Sequence, residues 1–290
     1  MTQVLWITDP HLDFVKGDGA HTFGVYLKAE YPDAKAVVVT GDIAEFGTFS
    51  KMIERFAQAI GMPVYFTLGN HDFYGGSIAA GKKKAAAVSN GAHYLPSSGT
   101  IAFGGTALIG HDGWYDGRNG LGAASRFLLR DFDAIKELRD EFVPNARRLG
   151  DMMSFYGALP AETRKDILKG VIKVSSDFAD AEAARAKKHL QSVIAKGFKK
   201  VIFATHVPPF AEAAWHLGKP SDEDALPWFS SKVMGESLLE VAVTATDVDI
   251  LVLCGHSHSP GEYQAAPNMR VVTGKAVYKS PDVAAVFDWS

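Results

Sequence analysis

Cysteine is nearly missing from this chain. A single Cys254 among 290 residues excludes a disulfide framework and any zinc site built from several thiolates. Long apolar runs are also missing, since none approaches the ~18 residues that a membrane-spanning helix needs. Neither sign of charge is in excess. Thirty Lys and Arg against 33 Asp and Glu leave a formal net charge of −3, which argues against a polybasic nucleic-acid binder but leaves room for a local basic groove. There is no internal repeat and no low-complexity linker. The opening MTQVLWIT lacks a basic flank and a cleavage site and reads as a strand rather than a signal peptide, so a cytoplasmic location is the expectation. What the chain does have is 47% hydrophobic and 22% charged residues, enough for a sizeable core, and ten histidines.

The first quarter alternates strand and helix patterns. Val4–Ile7, Ala36–Val39 and Val64–Leu68 are short apolar runs. They are separated by a weakly amphipathic helix near Thr22–Glu30 and a stronger one over Thr48–Ile60, stopped at Gly61. This order predicts βαβ units and a largely parallel sheet. From about 123 to 197 no strand pattern occurs. Phe132, Ile135, Leu138 and Phe142 recur at helical spacing, as do Ala183, Ala186, Leu190 and Val193. Strand patterns resume at Val201–Phe203, Ile250–Leu253, Arg270–Val272 and Val283–Phe287. The expected organisation is therefore one domain over 1–290 with a helical cap inserted at about 123–197.

Five of the apolar runs lead straight into metal-capable residues. They are Asp9-Pro10-His11, Gly41-Asp42, Gly69-Asn70-His71-Asp72, His206 and Gly255-His256-Ser257-His258. Ligands in open α/β sheets bind beyond the carboxyl ends of the strands, so these five ends place carboxylates, an amide and imidazoles around one point. Such donors suit Mn, Fe, Zn, Co or Ni. In extended chain, residues two apart point the same way, so Asp9 with His11, and His256 with His258, can each grip one cation. Gly41, Gly69 and Gly255 allow the tight turns that follow. Taken singly, each residue has a plainer reading: Asp9 and Asp42 as helix caps, Asn70-His71 as a turn, His206 as a hydrogen-bonded core histidine.

Together the five blocks resemble the signature of the calcineurin-like metallophosphoesterases, in order, from residue 9 to 258. The resemblance implies an α/β fold: a two-sheet β-sandwich flanked by helices in a four-layer αββα arrangement. It implies two divalent metal ions, one on Asp9, His11 and His258, the other on Asn70, His206 and His256, with Asp42 bridging. It assigns His71 as general acid and Asp72 as the residue that orients it. The purple acid phosphatase branch carries Tyr where Glu45 stands, so a tyrosinate–iron centre is not expected, and Glu45 reads as a structural hydrogen-bonding residue. The implied reaction is hydrolysis of a phosphate monoester or diester by a hydroxide bridging the two metals, with a phosphorylated small molecule or nucleotide as substrate. A nuclease of the same superfamily and a non-catalytic binding scaffold on the same fold are the alternatives. The first needs a basic, aromatic groove, and the second would be expected to have lost ligands that this chain keeps.

Some residues lie outside those blocks. The glycine-rich loop Gly110–Arg118 follows an apolar strand, and its His111, Trp114 and Arg118 are expected to wall the substrate pocket, with Arg118 on a phosphate. Trp215-His216 and Pro227-Trp228-Phe229 are expected to pack the core rather than stack on substrate. Lys82-Lys83-Lys84 reads as a solvated helix face, Cys254 as a buried inert thiol, and His21, His93 and His189 as surface residues.

Overall fold

The computed structural model describes residues 2–142 and 156–289. Thirteen strands are present among them: β1 (Gln3–Ile7), β2 (Ala34–Thr40), β3 (Val64–Thr67), β4 (Ala92–Tyr94), β5 (Ile101–Phe103), β6 (Thr106–Gly110), β7 (Lys200–Ala204), β8 (Trp215–His216), β9 (Lys219–Pro220), β10 (Asp249–Cys254), β11 (Gly261–Ala266), β12 (Met269–Thr273) and β13 (Ala285–Asp288). They form a five-stranded sheet in the order β13-β1-β2-β3-β4, a six-stranded sheet in the order β11-β12-β10-β7-β6-β5, and the small β8-β9 hairpin. β1 to β4 are parallel, as are β6, β7, β10 and β12, while β13, β5 and β11 run antiparallel at the edges.

Alternation along the central strands builds the layers. Val4 and Trp6 of β1, with Ala36 and Val38 of β2, meet Leu108 of β6, Ile202 and Ala204 of β7 and Leu253 of β10 in a cluster between the sheets. Leu5, Ile7, Val37 and Val39 point the other way, into a cluster with α1 (Gly19–Glu30) and α2 (Phe49–Ile60). Strands buried on both faces need unbroken apolar runs, which is why these segments show no polar alternation. α2 buries Phe49, Ile53, Phe56, Ala57 and Ile60 and ends at Gly61, whose φ of 71° is the left-handed cap conformation. On the far side, Ile109, Val201, Phe203, Ile250 and Val252 pack with Ala183, Ala186, Leu190 and Val193 and with Met234 and Leu238. The result is four layers, helix–sheet–sheet–helix, as expected.

The helices after α2 are α3 (Ile78–Ala86), α4 (Leu95–Ser98), α5 (Asp131–Ala134), α6 (Lys136–Phe142), α7 (Ala161–Ala195), α8 (Leu226–Phe229) and α9 (Lys232–Ala242). α7 is 35 residues long and does two jobs. Its second half, Ala183 to Val193, is the helical layer over the six-stranded sheet and the crossover from β6 to parallel β7. Its first half, with Leu168 and Val171, joins Phe132, Ile135, Leu138 and Phe142 in the same cluster as β1 and β2. The segment expected as a cap at about 123–197 is thus continuous with the core. Residues 143–155 of it lie outside the described part. No described helix is long and apolar enough to cross a membrane.

Candidate metal centre

The functional side chains stand just beyond the carboxyl ends of β1, β2, β3, β7 and β10. Leaving these strands requires backbone that L-residues seldom adopt. Asp9, His11, Asp42, His256 and His258 have φ of 47°, 40°, 52°, 69° and 61°. Five of the eight described non-glycine residues with positive φ are therefore candidate ligands, a concentration of strain that marks a functional site. Two glycines let the loops close. A Cβ on Gly69 would meet the Asp42 carboxylate and lie 2.6 Å from His206 Cε1, and one on Gly255 would collide with the Asp9 carboxylate and the Thr8 hydroxyl. The Asp9 carboxylate accepts from the His256 backbone N–H at 3.0 and 3.1 Å, which ties the first block to the last.

Two groups of ligand atoms face opposite ends of Asp42. Asp9, His11, Asp42 and His258 present atoms all within 4.8 Å of one another. Here His258 Nε2 lies 3.3 Å from Asp9 Oδ1 and His11 Nε2 lies 3.7 Å from Asp42 Oδ2. On the other side, His206 Nε2 lies 3.4 Å from Asp42 Oδ1 and 3.1 Å from Asn70 Oδ1, which is also 2.9 Å from His256 Nδ1. The tautomers follow from the remaining nitrogens. His206 Nδ1 donates to the Thr40 carbonyl at 2.8 Å, and His256 Nε2 donates to the Trp228 carbonyl at 2.9 Å. His206 Nε2, His256 Nδ1 and Asn70 Oδ1 are therefore three acceptors aimed at one another with no proton between them, the arrangement a cation resolves.

Electrostatics agree. Burial pushes the Asp9 carboxyl up, but its hydrogen bond to His258 and the surrounding imidazoles outweigh burial and hold it far below the usual carboxylate range. Burial lowers His258 too, but the Asp9 hydrogen bond and charge overcome this and raise it. Burial, reinforced by the Asp9 charge, drives Asp42 well above its ordinary value. Burial lowers His11 and His256 each to about 3, so both rings are neutral at pH 7. The carboxylate, imidazole and amide donors fit divalent first-row metals.

His256 and His258 do not point the same way, contrary to the extended-chain expectation. Their positive φ turns the two rings apart, His256 toward Asn70 and His258 toward Asp9. His71 stands beside the cluster, its Nε2 4.0 Å from Asp42 Oδ2 and its ring against Tyr74 at 4.2 Å. Burial lowers it well below its ordinary value. Asp72 does not touch the His71 ring. Its carboxylate accepts from the backbone N–H groups of Ile43, Ala44 and Gly69 at 3.0, 3.1 and 2.8 Å and so clamps the loops after β2 and β3.

A cavity of about 420 Å³ opens over both groups, walled by Phe14, Tyr74, Phe127, Leu128, Leu129, Phe229, His216 and Tyr278, with Arg130 as the only Lys or Arg among its described lining residues. The expected pocket residues His111, Trp114 and Arg118 are not part of this wall. Trp114 is packed in the core against Phe73 and Phe178. Arg118 is held by Asp180 at 2.6 and 2.8 Å and by Asp116. His111 lies buried beside His189 and Glu182. Lys82 pairs with the buried Glu182 and Asp112, and Lys84 with the Phe46 carbonyl, so neither is a plain solvated lysine. Glu45 pairs with Arg130 at 3.1 Å. Phe229 and His216 do line the cavity, while Trp228 is core. His189 is half-buried, and Cys254 is buried with its thiol pushed up to about 12 by that burial. Tyr278, Phe14 and Arg130 carried no signal in sequence. Tyr278 sits in the irregular stretch between β12 and β13, yet its ring lies 4.5 Å from His11 and 4.8 Å from His258.

The family model for calcineurin-like phosphoesterases matches residues 2–260, and the chain belongs to that family. Among solved structures, it is similar to a phosphopantetheinyl hydrolase from Mycobacterium tuberculosis (TM-score 0.58, 12% identity, 96% of this chain and 90% of that one). It is similar also to a dimetal phosphatase from Danio rerio (TM-score 0.57, 13% identity, 97% and 89%). At these identities the likeness shows the fold. No curated protein matches the chain.

Proposed function

We propose that this chain is a metal-dependent phosphohydrolase that cleaves a phosphate monoester or diester of a small molecule or nucleotide. The observation that carries this reading is the pair of acceptor-rich groups at the two ends of Asp42. On this reading Asp9, His11, Asp42 and His258 would hold one divalent cation. Asn70, His206 and His256, with Asp42 between the two groups, would hold a second. Mn, Fe, Zn, Ni or Co fits the donors, and a bound pair would supply Lewis acidity toward phosphate oxygens and toward water.

The protein's own part is proton supply and orientation. His71 is the imidazole of the blocks left outside both groups. Its Nε2 faces the cavity side of Asp42 and donates the proton that the leaving alkoxide needs. Burial keeps the bare ring neutral, and the negative charge of an arriving phosphate raises its proton affinity again. Phe14 and Tyr278 supply flat apolar walls for the organic part of the ester, and Arg130, which pairs with Glu45, supplies one cation that a further anionic group would share. One lining guanidinium is little for a nucleic-acid backbone, which favours small esters over a nuclease.

Elemental analysis after loading, with hydrolysis of p-nitrophenyl phosphate and of its bis ester across the five metals, tests this reading. Two equivalents of metal and cleavage of one ester are expected. A chain that binds no metal and cleaves neither ester leaves the binding-scaffold alternative in its place.

A further inference from the structure

Asp131 belongs to none of the sequence blocks. It lies on α5, in the segment between β6 and β7, and is completely buried. Its Oδ1 accepts from Asn70 Nδ2 at 2.9 Å and from the Tyr74 hydroxyl at 2.5 Å, and its Oδ2 accepts from the Tyr115 hydroxyl at 2.9 Å. The second amide proton of Asn70 goes to the Tyr74 oxygen at 3.1 Å. Every donor in this network is used, and every one is directed away from the cation site.

That direction opposes the local preference. The other face of Asn70 meets His206 Nε2 and His256 Nδ1, both lone-pair acceptors. With nothing else present, the amide would gain two hydrogen bonds by turning its NH₂ toward those rings. A carboxylate offers acceptors only, so a turned amide would set oxygen against oxygen at Asp131 and leave that buried carboxylate short of a donor. We propose that Asp131 is a positioning residue that locks the Asn70 amide with its oxygen toward His206 and His256, making Asn70 a ligand rather than a hydrogen-bond donor. The same short segment supplies Phe127 and Arg130 to the cavity wall, so the wall and the lock are one piece of chain. The proposal rests on the two-cation reading above.

The test is titration of the metal-free full-length protein with Mn(II) or Zn(II), read as stoichiometry and affinity, for wild type, Asp131→Asn and the double variant Asn70→Asp/Asp131→Asn. Circular dichroism melting of each sample accompanies it. Asp131→Asn is nearly isosteric, but the new amide can also donate, so the lock fails. One cation is expected to weaken by about 10–100-fold while the other keeps its affinity. The double variant is expected to recover both, because a carboxylate at position 70 offers oxygen in both directions and the amide at 131 donates to it. A buried structural carboxylate with no role in ligation predicts no such recovery. Wild type taking two cations, with Asp131→Asn taking two at unchanged affinity or the double variant no better than the single, overturns the proposal. Wild type taking no second cation overturns the two-cation reading and this proposal with it.

Discussion

His206 and Thr40 meet across the two sheets. The imidazole Nδ1 at the end of β7 donates to the Thr40 carbonyl at the end of β2 over 2.8 Å, leaving Nε2 3.4 Å from Asp42. The bond fixes the tautomer of a residue with no exposed surface and joins the halves of the sandwich at the point where the candidate ligands gather. Replacing His206 with Ala is therefore expected to halve metal content in elemental analysis, from two equivalents to one, because only the Asn70 side loses a ligand. Two equivalents in the variant would remove His206 from the ligand set.

His71 is predicted to affect turnover and not metal. His71→Gln is expected to lower kcat by about 10²–10⁴-fold on an alkyl phosphate with normal metal content, and less on p-nitrophenyl phosphate, whose leaving group needs little protonation. Equal losses on both esters, or a loss of metal, would show that His71 does not act as the acid.

Both arginines are ion-paired, but only Arg130 lines the cavity. Arg118 is about one-third exposed and engaged by Asp180 and by the buried Asp116, so Arg118→Ala is expected to leave KM unchanged. Arg130 lines the cavity, with its guanidinium 5.1 Å from the Tyr74 ring centre. Arg130→Ala is expected to raise KM several-fold for esters with a second anionic group. Steady-state kinetics on both variants decide the matter, and the reverse pattern would return the Gly110–Arg118 loop to the pocket.

Acid sensitivity is predicted to centre partly on Glu182. Burial raises its carboxyl, but His111, Lys82 and Arg185 outweigh that and hold it at about 2, against an ordinary 4.5. A folded-state value below the unfolded one means stabilisation that is complete above pH 4.5 and is lost as the pH falls from there through about 2. Glu182→Gln is expected to cost about 3 kcal/mol at pH 7, and about 2 kcal/mol less than that at pH 3, in urea denaturation. The same cost at both pH values would rule out this linkage.

Much of the site was legible because its signal is local. A strand buried on both faces writes itself as an apolar run, and metal-capable residues follow it directly. The five blocks are legible in this way, the choice of Asp9, His11, Asp42, Asn70, His206, His256 and His258 within them comes from the family resemblance, and the structure brings these seven together. The direction of each imidazole is not legible in spacing alone. Two residues apart in extended chain, His256 and His258 would point the same way, whereas positive φ at both sends them to different partners, the division that the family resemblance implies. The resemblance assigns Asp72 to orient His71, yet its carboxylate binds backbone N–H groups of Ile43 and Ala44, 29 and 28 residues away.

Sequence alone determined the strand–helix order, the apolar layers and the chemistry at the strand ends, since each follows from periodicity, turn residues and side-chain type within a few positions. Tertiary structure alone decided that α7 serves the core as well as the segment above the site. It decided that Tyr278, Phe14 and Arg130 border the cavity while Arg118 turns to Asp180, and that Asp131 reaches Asn70. These are contacts between residues far apart in the chain. They depend on which buried donor lies opposite which acceptor once two sheets have stacked, and no spacing within the sequence encodes that.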